Sequence, residues 1–119
     1  MEYREYRGMD PVHVDKKEET VDGWRFVVEI GPDHNKIGFS ISICRDYWIA
    51  LTDGKYPPEE LLVRSLRFLL RQEPKTSITR SFHLKDIQKR FPGFEGHIKA
   101  LSSESSSYLS FFSWHSTSS

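Results

Sequence analysis

The residues whose types and spacing suggest a chemistry in this sequence are basic. Arg64, Arg67 and Arg71 recur at positions i, i+3 and i+7, a spacing that places them on one strip of an α-helix. A guanidinium group can donate two parallel hydrogen bonds to a phosphate or to a carboxylate. We therefore predict that this strip binds a polyanion or an acidic partner. The predicted site also includes the basic residues that follow it, Arg80, Lys85, Lys89 and Arg90. A solvated helix face is the simpler explanation of the same pattern.

No comparable pattern indicates catalysis. The five histidines, at positions 13, 34, 83, 97 and 115, include no i, i+4 pair and none at ligand spacing from a cysteine. Asp33 and His34 are ordinary turn residues, and Cys44 has no local signature of a thiol nucleophile. The chain contains no glycine-rich phosphate loop. We predict no catalytic residues, no metal site and no cofactor.

The charge balance bears on the class of partner. The formal net charge is zero, which argues against a protein dedicated to coating nucleic acid or an anionic membrane. Residues 1–60 nevertheless carry 8 Lys and Arg and 13 Asp and Glu, whereas residues 61–101 carry 9 and 3. The leading hypothesis is a non-catalytic protein-binding or regulatory domain that contacts an acidic protein surface. Weak nucleic-acid binding through the basic helical face is the alternative, and an enzyme of unrecognised class ranks third.

The cysteine count and the hydropathy indicate the cellular compartment of the protein. A single cysteine excludes an internal disulfide and a cysteine-based zinc site. The sequence MEYREYRGMD lacks the apolar stretch of a signal peptide, and no segment has the ~18 apolar residues of a membrane span. We expect a cytoplasmic protein with no membrane partner. A core this small suits a monomer or a homodimer.

One helix organises the predicted fold. Leucines and Phe68 in the stretch Tyr56 to Pro74 form a wide apolar arc, centred near Leu66, opposite the arginine strip. Prolines and glutamates suit its first turn, Glu60 stands four residues before Arg64 as a favourable ion pair, and Pro74 ends it. A helix of roughly four turns follows.

A β-hairpin is predicted to pack on this helix. Residues 24–30 and 37–44 alternate apolar and polar side chains, and Gly31 to Asn35 form a turn between them. From Arg45 to Leu51 a third strand and a short helix both fit, and the break in alternation at Arg45 and Asp46 favours the helix.

Short helices are predicted after the central one. Lys75 to Phe82 is interpreted as a turn of helix. Leu84 to Phe91 is predicted to be a helix of two turns, with His83 at its cap, Asp86 in its first turn and a hydrophobic staple between Phe82 and Ile87. Phe94, Ile98 and Leu101 indicate one more short helix.

These elements define an α+β domain with polar ends. We expect a mobile N-terminal segment at 1–22, a single globular domain at 23–101 and a disordered serine-rich tail at 102–119. Three interpretations of the aromatic residues in that tail stay open, namely docking on the body, binding a partner, or a peculiarity of this terminus. These residues are Tyr108, Phe111, Phe112 and Trp114.

The stretch LLVRSLRFLLRQEPKTSI, followed by F-x-L-x-x-I-x-x-x-FPGFE, resembles a family of small prokaryotic proteins that have no established function. The likeness covers about residues 24–98 and implies a sheet hairpin, a helix and a second short helix that ends in Phe-Pro. It implies a bacterial protein and brings no activity with it. His83 departs from the acidic helix cap of that family, and the serine-rich tail lies outside the likeness. The motif is carried by Phe68-Leu69-Leu70, Arg71, Glu73-Pro74-Lys75, Ile78 and Phe91-Pro92.

Overall fold

The computed structural model describes residues 10–101, which form an α+β fold. The strands are β1 (Val12–Glu19), β2 (Gly23–Ile30), β3 (Ile37–Cys44) and β4 (Ser81–His83). The helices are α1 (Arg45–Thr52), α2 (Pro58–Gln72), α3 (Asp86–Arg90) and α4 (94–101), with a 3₁₀ turn at Lys75–Ser77. The predicted fold class is therefore confirmed.

The sheet is mixed and has the strand order β1-β2-β3-β4. The first three strands form an antiparallel meander, with Phe26 opposite Ile41 on β3 and Lys17 on β1. β4 lies parallel to β3, with Ser81 opposite Ser40, and is reached through α1 and α2. Parallel neighbours need such a crossover connection, so α1 and α2 form the link that brings residues 81–83 to the sheet.

The hydrophobic core lies between one sheet face and α2. The buried side chains of β2 and β3 are those that alternate along each strand, and Phe26, Val28 and Ile41 are fully buried. They pack in one cluster with the leucines of α2, among them Leu66. The predicted packing of the hairpin on the central helix is confirmed, since both faces belong to the same core.

The segment after β3 is a helix, as the break in alternation indicated. α1 ends at Thr52 and is capped by Asp53, whose φ of 59° is left-handed and whose N–H donates to the carbonyl of Ile49. Trp48 Nε1 donates to the carbonyl of Tyr56 at 2.8 Å, and the Trp48 ring meets Trp24 edge to face at 5.4 Å between centroids. Trp48 thus fixes the turn between α1 and α2 against the start of β2.

Part of the predicted mobile segment 1–22 is a strand, which corrects that prediction for residues 12–19. β1 pairs along β2, with a bulge between Val14 and Lys16. Composition did not indicate it because an edge strand that contacts little of the core needs few apolar residues, and backbone hydrogen bonds supply its pairing. Residues 1–9 and the tail 102–119, with its four aromatic side chains, lie outside the described residues.

The prediction of a turn of helix for residues 75–82 was wrong in its second half. The 3₁₀ turn covers Lys75–Ser77, and Ser81–His83 is β4. α3 is shorter than the predicted helix, and the predicted cap residue His83 ends the strand instead. The residue expected in the first turn, Asp86, accepts a hydrogen bond from the His83 N–H at 3.1 Å. The predicted final helix is confirmed as α4.

Candidate binding site

Two of the predicted basic residues are half-buried and bonded within the chain. The Arg64 guanidinium donates to Glu60 and lies over the Tyr56 ring, 4.3 Å from its centroid. The Arg67 guanidinium donates to the backbone carbonyl of Asp10, just before β1. Both side chains are half-buried. Arg67 joins α2 to the segment before β1, whereas the Arg64 contacts stay within α2 and the turn before it.

The other predicted basic residues are exposed, and they differ in how far their charge is compensated. Arg71, Arg80 and Lys85 form no side-chain ion pair or hydrogen bond within residues 10–101. Lys89 lies 3.5 Å from Asp86 in an exposed pair, which contributes little. The Arg90 fork donates two hydrogen bonds to Glu73, at 2.9 and 2.7 Å.

A cavity of about 190 Å³ opens between α2, β4 and α3. We name it the β4 cavity. Its apolar wall comes from three elements and one connecting segment, because Leu69 lies on α2, Phe82 on β4 and Ile87 on α3, while Ile78 follows the 3₁₀ turn. The two residues predicted to form the hydrophobic staple therefore face a common space. The polar part of the lining is Thr79, Ser81, Asp86 and Arg90.

Four of the seven predicted basic residues line this cavity or are adjacent in sequence to a residue that lines it. Arg90 lines it, while Arg80, Lys85 and Lys89 are each directly adjacent in sequence to a lining residue. We name these four residues the basic rim. The Glu73 carboxylate, whose side chain is 12% exposed, ties the Arg90 end of α3 to the segment that follows α2. The arginine strip and the basic rim are thus different surfaces: Arg64 and Arg67 support the fold, whereas the rim borders an open space.

A second cavity, of about 460 Å³, lies beside the turn between β2 and β3 and includes a histidine and acids. His13 is 69% exposed, and the Asp33 side chain is fully exposed. Lys36 lies 3.3 Å from Glu29 and 3.8 Å from Asp33. Because these groups are solvated and already paired, the cavity lacks the enclosed histidine and acid that an enzyme hypothesis would require.

His83 and Cys44 lie on neighbouring strands, and no hydrogen bond joins their side chains within residues 10–101. Ser42 is opposite His83, and Cys44 is two residues further along the same face of β3. Cys44 is a half-buried free thiol, and the buried Nδ1 of His83 has no hydrogen-bond partner among the described residues. Burial, and secondarily Lys85, lower the pKa of His83, so that its imidazole is neutral near pH 7.

Neither a metal centre nor a membrane span is found in the described part of the chain. Residues 10–101 contain no group of three His, Cys, Asp or Glu side chains placed to hold an ion. None of the helices within that range has the length and apolar character needed to cross a bilayer.

The backbone edge of β4 is the feature of this region that sequence reasoning missed. Ile78, Phe82 and Leu84 do alternate as in a strand with one buried face, but Arg80 occupies the position where that alternation needs an apolar residue. The strand signal was present and was interrupted by one basic residue. That residue is itself a member of the predicted site.

We compared the chain with protein-family models, curated proteins and solved structures, and none of the three comparisons gave a match. The likeness to small prokaryotic proteins stays a prediction from motifs. Function is therefore inferred from the geometry of the residues.

Proposed function

We propose that the protein is a non-catalytic binding domain whose basic rim and β4 cavity receive an acidic segment of a partner protein. The observation that carries the proposal is the position of uncompensated positive charge beside an apolar cavity. Arg80 and Lys85 are exposed without side-chain partners within residues 10–101, and both adjoin residues that line the cavity. A site that combines charge with an apolar anchor suits a protein segment.

The size of the β4 cavity also supports a protein partner. At about 190 Å³ it lies below the range of about 300–1,000 Å³ that is usual for small-molecule sites. It exceeds the engineered cavity of about 150 Å³ that accepts benzene. One aliphatic or aromatic side chain is therefore the occupant that matches its volume.

Nucleic-acid binding through the arginine strip receives less support. A strip that follows phosphates needs its guanidinium groups available, but Arg64 and Arg67 are half-buried and bonded to Glu60 and Asp10. Arg71 alone of the three is exposed and without a side-chain partner in the described region. The nucleic-acid hypothesis is therefore treated as an outcome of the test.

The proposal is tested by selecting peptides on the full chain from a displayed random library. We expect the selected peptides to be enriched in Asp and Glu. Binding of a selected peptide, measured by fluorescence anisotropy, should weaken about fivefold in the double variant Arg80→Gln, Lys85→Gln, because two exposed charge contacts are lost. The matched control is Lys55→Gln, Lys99→Gln, which removes two exposed charges outside the rim. Its affinity should stay within about twofold of wild type.

Two results would overturn this proposal. The first is a selection without acidic enrichment. The second is tighter binding of duplex DNA or single-stranded RNA than of any selected peptide, with an affinity that falls steeply between about 50 and 200 mM salt. That second result, with sensitivity to Arg71→Gln, would establish the nucleic-acid alternative.

A further inference from the structure

The outer edge of β4 has backbone groups that are available for pairing. The Ser40 N–H donates to the Arg80 carbonyl, and the Leu84 N–H donates to the Ser42 carbonyl, each at 2.8 Å. Because backbone groups alternate in direction along a strand, those of Ser81 and His83 point away from β3. The bond from the His83 N–H to Asp86 agrees with this direction.

Within residues 10–101, Ser81 is the residue at which this edge stays open. Asp86 already accepts the outward N–H of His83. Outside the strand ladders, no hydrogen bond within residues 10–101 involves the N–H or the C=O of Ser81, and in the ladder with β3 both groups point outward. The residue is exposed. Ser81 also lines the β4 cavity, so an unpaired strand edge and an apolar space adjoin at one residue. Unpaired edge groups of this kind are a template for a further strand.

We propose that the partner binds as an extended strand that pairs with the Ser81 N–H and C=O and places one apolar side chain in the β4 cavity. This inference rests on the proposed function, since it specifies how the acidic segment is held. In strand addition, backbone hydrogen bonds supply affinity, and pockets for alternate side chains supply specificity. The apolar side chain enters the cavity, and acidic residues of the same segment contact the basic rim.

The charges around the cavity favour an acidic strand. Asp86 is the acidic residue in the cavity wall, but its carboxylate accepts the His83 N–H and lies 3.5 Å from Lys89 Nζ. Arg80 and Lys85 lie on either side of the segment 81–84 and have no counter-charge of their own among the described residues. An incoming carboxylate therefore meets positive charge at both ends of the open edge.

The first test alters the peptide and leaves the protein unchanged. Each backbone N–H of a selected acidic peptide is replaced in turn by N-methyl, and affinity for the full chain is measured. A paired strand should lose roughly five- to tenfold in affinity at the residue that donates to Ser81, and little at the residues beside it. Equal effects at all positions, or none, would overturn the proposed pairing.

The second test closes the cavity. Thr79 is exposed and lines the β4 cavity, so the indole of Thr79→Trp should occupy the space intended for the apolar side chain. We expect peptide affinity to fall on the order of tenfold or more. Thr76→Trp is the matched control, because Thr76 is exposed in the 3₁₀ turn and does not line the cavity. Circular dichroism of both variants checks that the fold is retained.

The outcomes separate this inference from the proposed function. Selected acidic peptides that lose affinity in the rim variant and in Thr79→Trp, but respond equally to N-methylation at every position, would overturn strand addition and retain the proposed function. A selection without acidic peptides would overturn both. Tighter peptide binding after removal of residues 102–119 would indicate that the chain's own C-terminal segment occupies the β4 edge. It would overturn the inference that a partner protein occupies that edge.

Discussion

His83 shows how a single side chain can depart from what its position in the sequence indicated. The sequence placed it at a helix cap, whereas it ends β4 with its Nδ1 buried and without a hydrogen-bond partner among the described residues. Burial and the positive charge of Lys85 lower its pKa, while Asp86 and Asp22 act in the opposite direction. Protonation of His83 is therefore disfavoured in the folded protein.

We predict that His83 makes the fold less stable in mild acid. Its pKa is lower in the folded state than the unperturbed value of about 6.5, so the unfolded chain binds the proton more readily. Stability is retained above about pH 6.5 and declines as the pH falls below it toward the folded pKa. Thermal melting between about pH 7.5 and 5.5 should show a smaller decline for His83→Gln than for wild type.

The control for this prediction is His34→Gln, in the exposed β2–β3 turn, which should retain the wild-type decline. Parallel melting curves for wild type and His83→Gln would show that His83 does not contribute to the pH dependence. The lowered pKa values of Glu18 and Glu59 do not interfere, because those groups titrate below about pH 4.5.

Individual contacts were predictable when they were local in sequence. The Glu60–Arg64 pair followed from i, i+4 spacing and is present. By contrast, the contact between Arg67 and the Asp10 carbonyl joins residues 57 positions apart. Gly23 is similar, since a Cβ there would lie 2.0 Å from the Ile43 carbonyl oxygen. Only the folded structure shows that the start of β2 packs this closely against the end of β3.

Among the elements, α2 was the most predictable because start, period and stop signals agreed. Pro58 begins it, Glu59 and Glu60 lie in the first turn, and the helix ends at Gln72 before Pro74. β1 and β4 were harder to predict, since both are edge strands with few apolar side chains and depend on backbone pairing. The basic residues of the candidate site were identifiable, but the edge that accompanies them was not.

For the secondary-structure elements, we predict that the packing of α2 in the core depends on Leu66. The side chain is fully buried at the centre of the core, so Leu66→Ala should cost about 2–5 kcal/mol, and Leu66→Asp should unfold the domain because its charge has no partner there. Arg71→Ala, on the exposed side of the same helix, should change stability by less than about 0.5 kcal/mol. Denaturant unfolding followed by circular dichroism measures all three. A Leu66→Asp variant of near wild-type stability would contradict the observed orientation of α2.

For the whole molecule, the charge asymmetry between the two parts of the chain is only partly neutralised by contacts. Lys75 Nζ lies 3.6 Å from Asp10, a pair that joins the two parts and is largely buried. Arg64 and Glu60 also pair across the boundary between the two parts. Other pairs, such as Lys17 with Glu59 and Arg90 with Glu73, stay within one part. The excess positive charge of residues 61–101 therefore remains partly at the surface, which is consistent with an acidic partner.

Composition and structure differ most in where they place the start of the domain. Composition places the start of the domain at residue 23, yet β1 pairs along β2, and Val12 and Val14 pack against the core. Pro11 accepts the N–H of Gly31, and Asp10 contacts Arg67 and Lys75. Removal of β1 would leave β2 as an unpaired edge and break each of these contacts.

We therefore predict that deletion of residues 1–20 lowers the melting temperature by about 10 °C or more, since each kcal/mol corresponds to about 4–8 °C in a domain of this size. Deletion of residues 1–9 removes none of the contacts named above and is the matched control. Truncation after Ser102 should leave the melting temperature nearly unchanged, because a serine-rich segment can bury little apolar surface. Differential scanning calorimetry of the three truncations decides between the boundaries. If the variant that lacks residues 1–20 had the melting temperature of wild type, the domain would begin at β2, and pairing with β1 would contribute no stability.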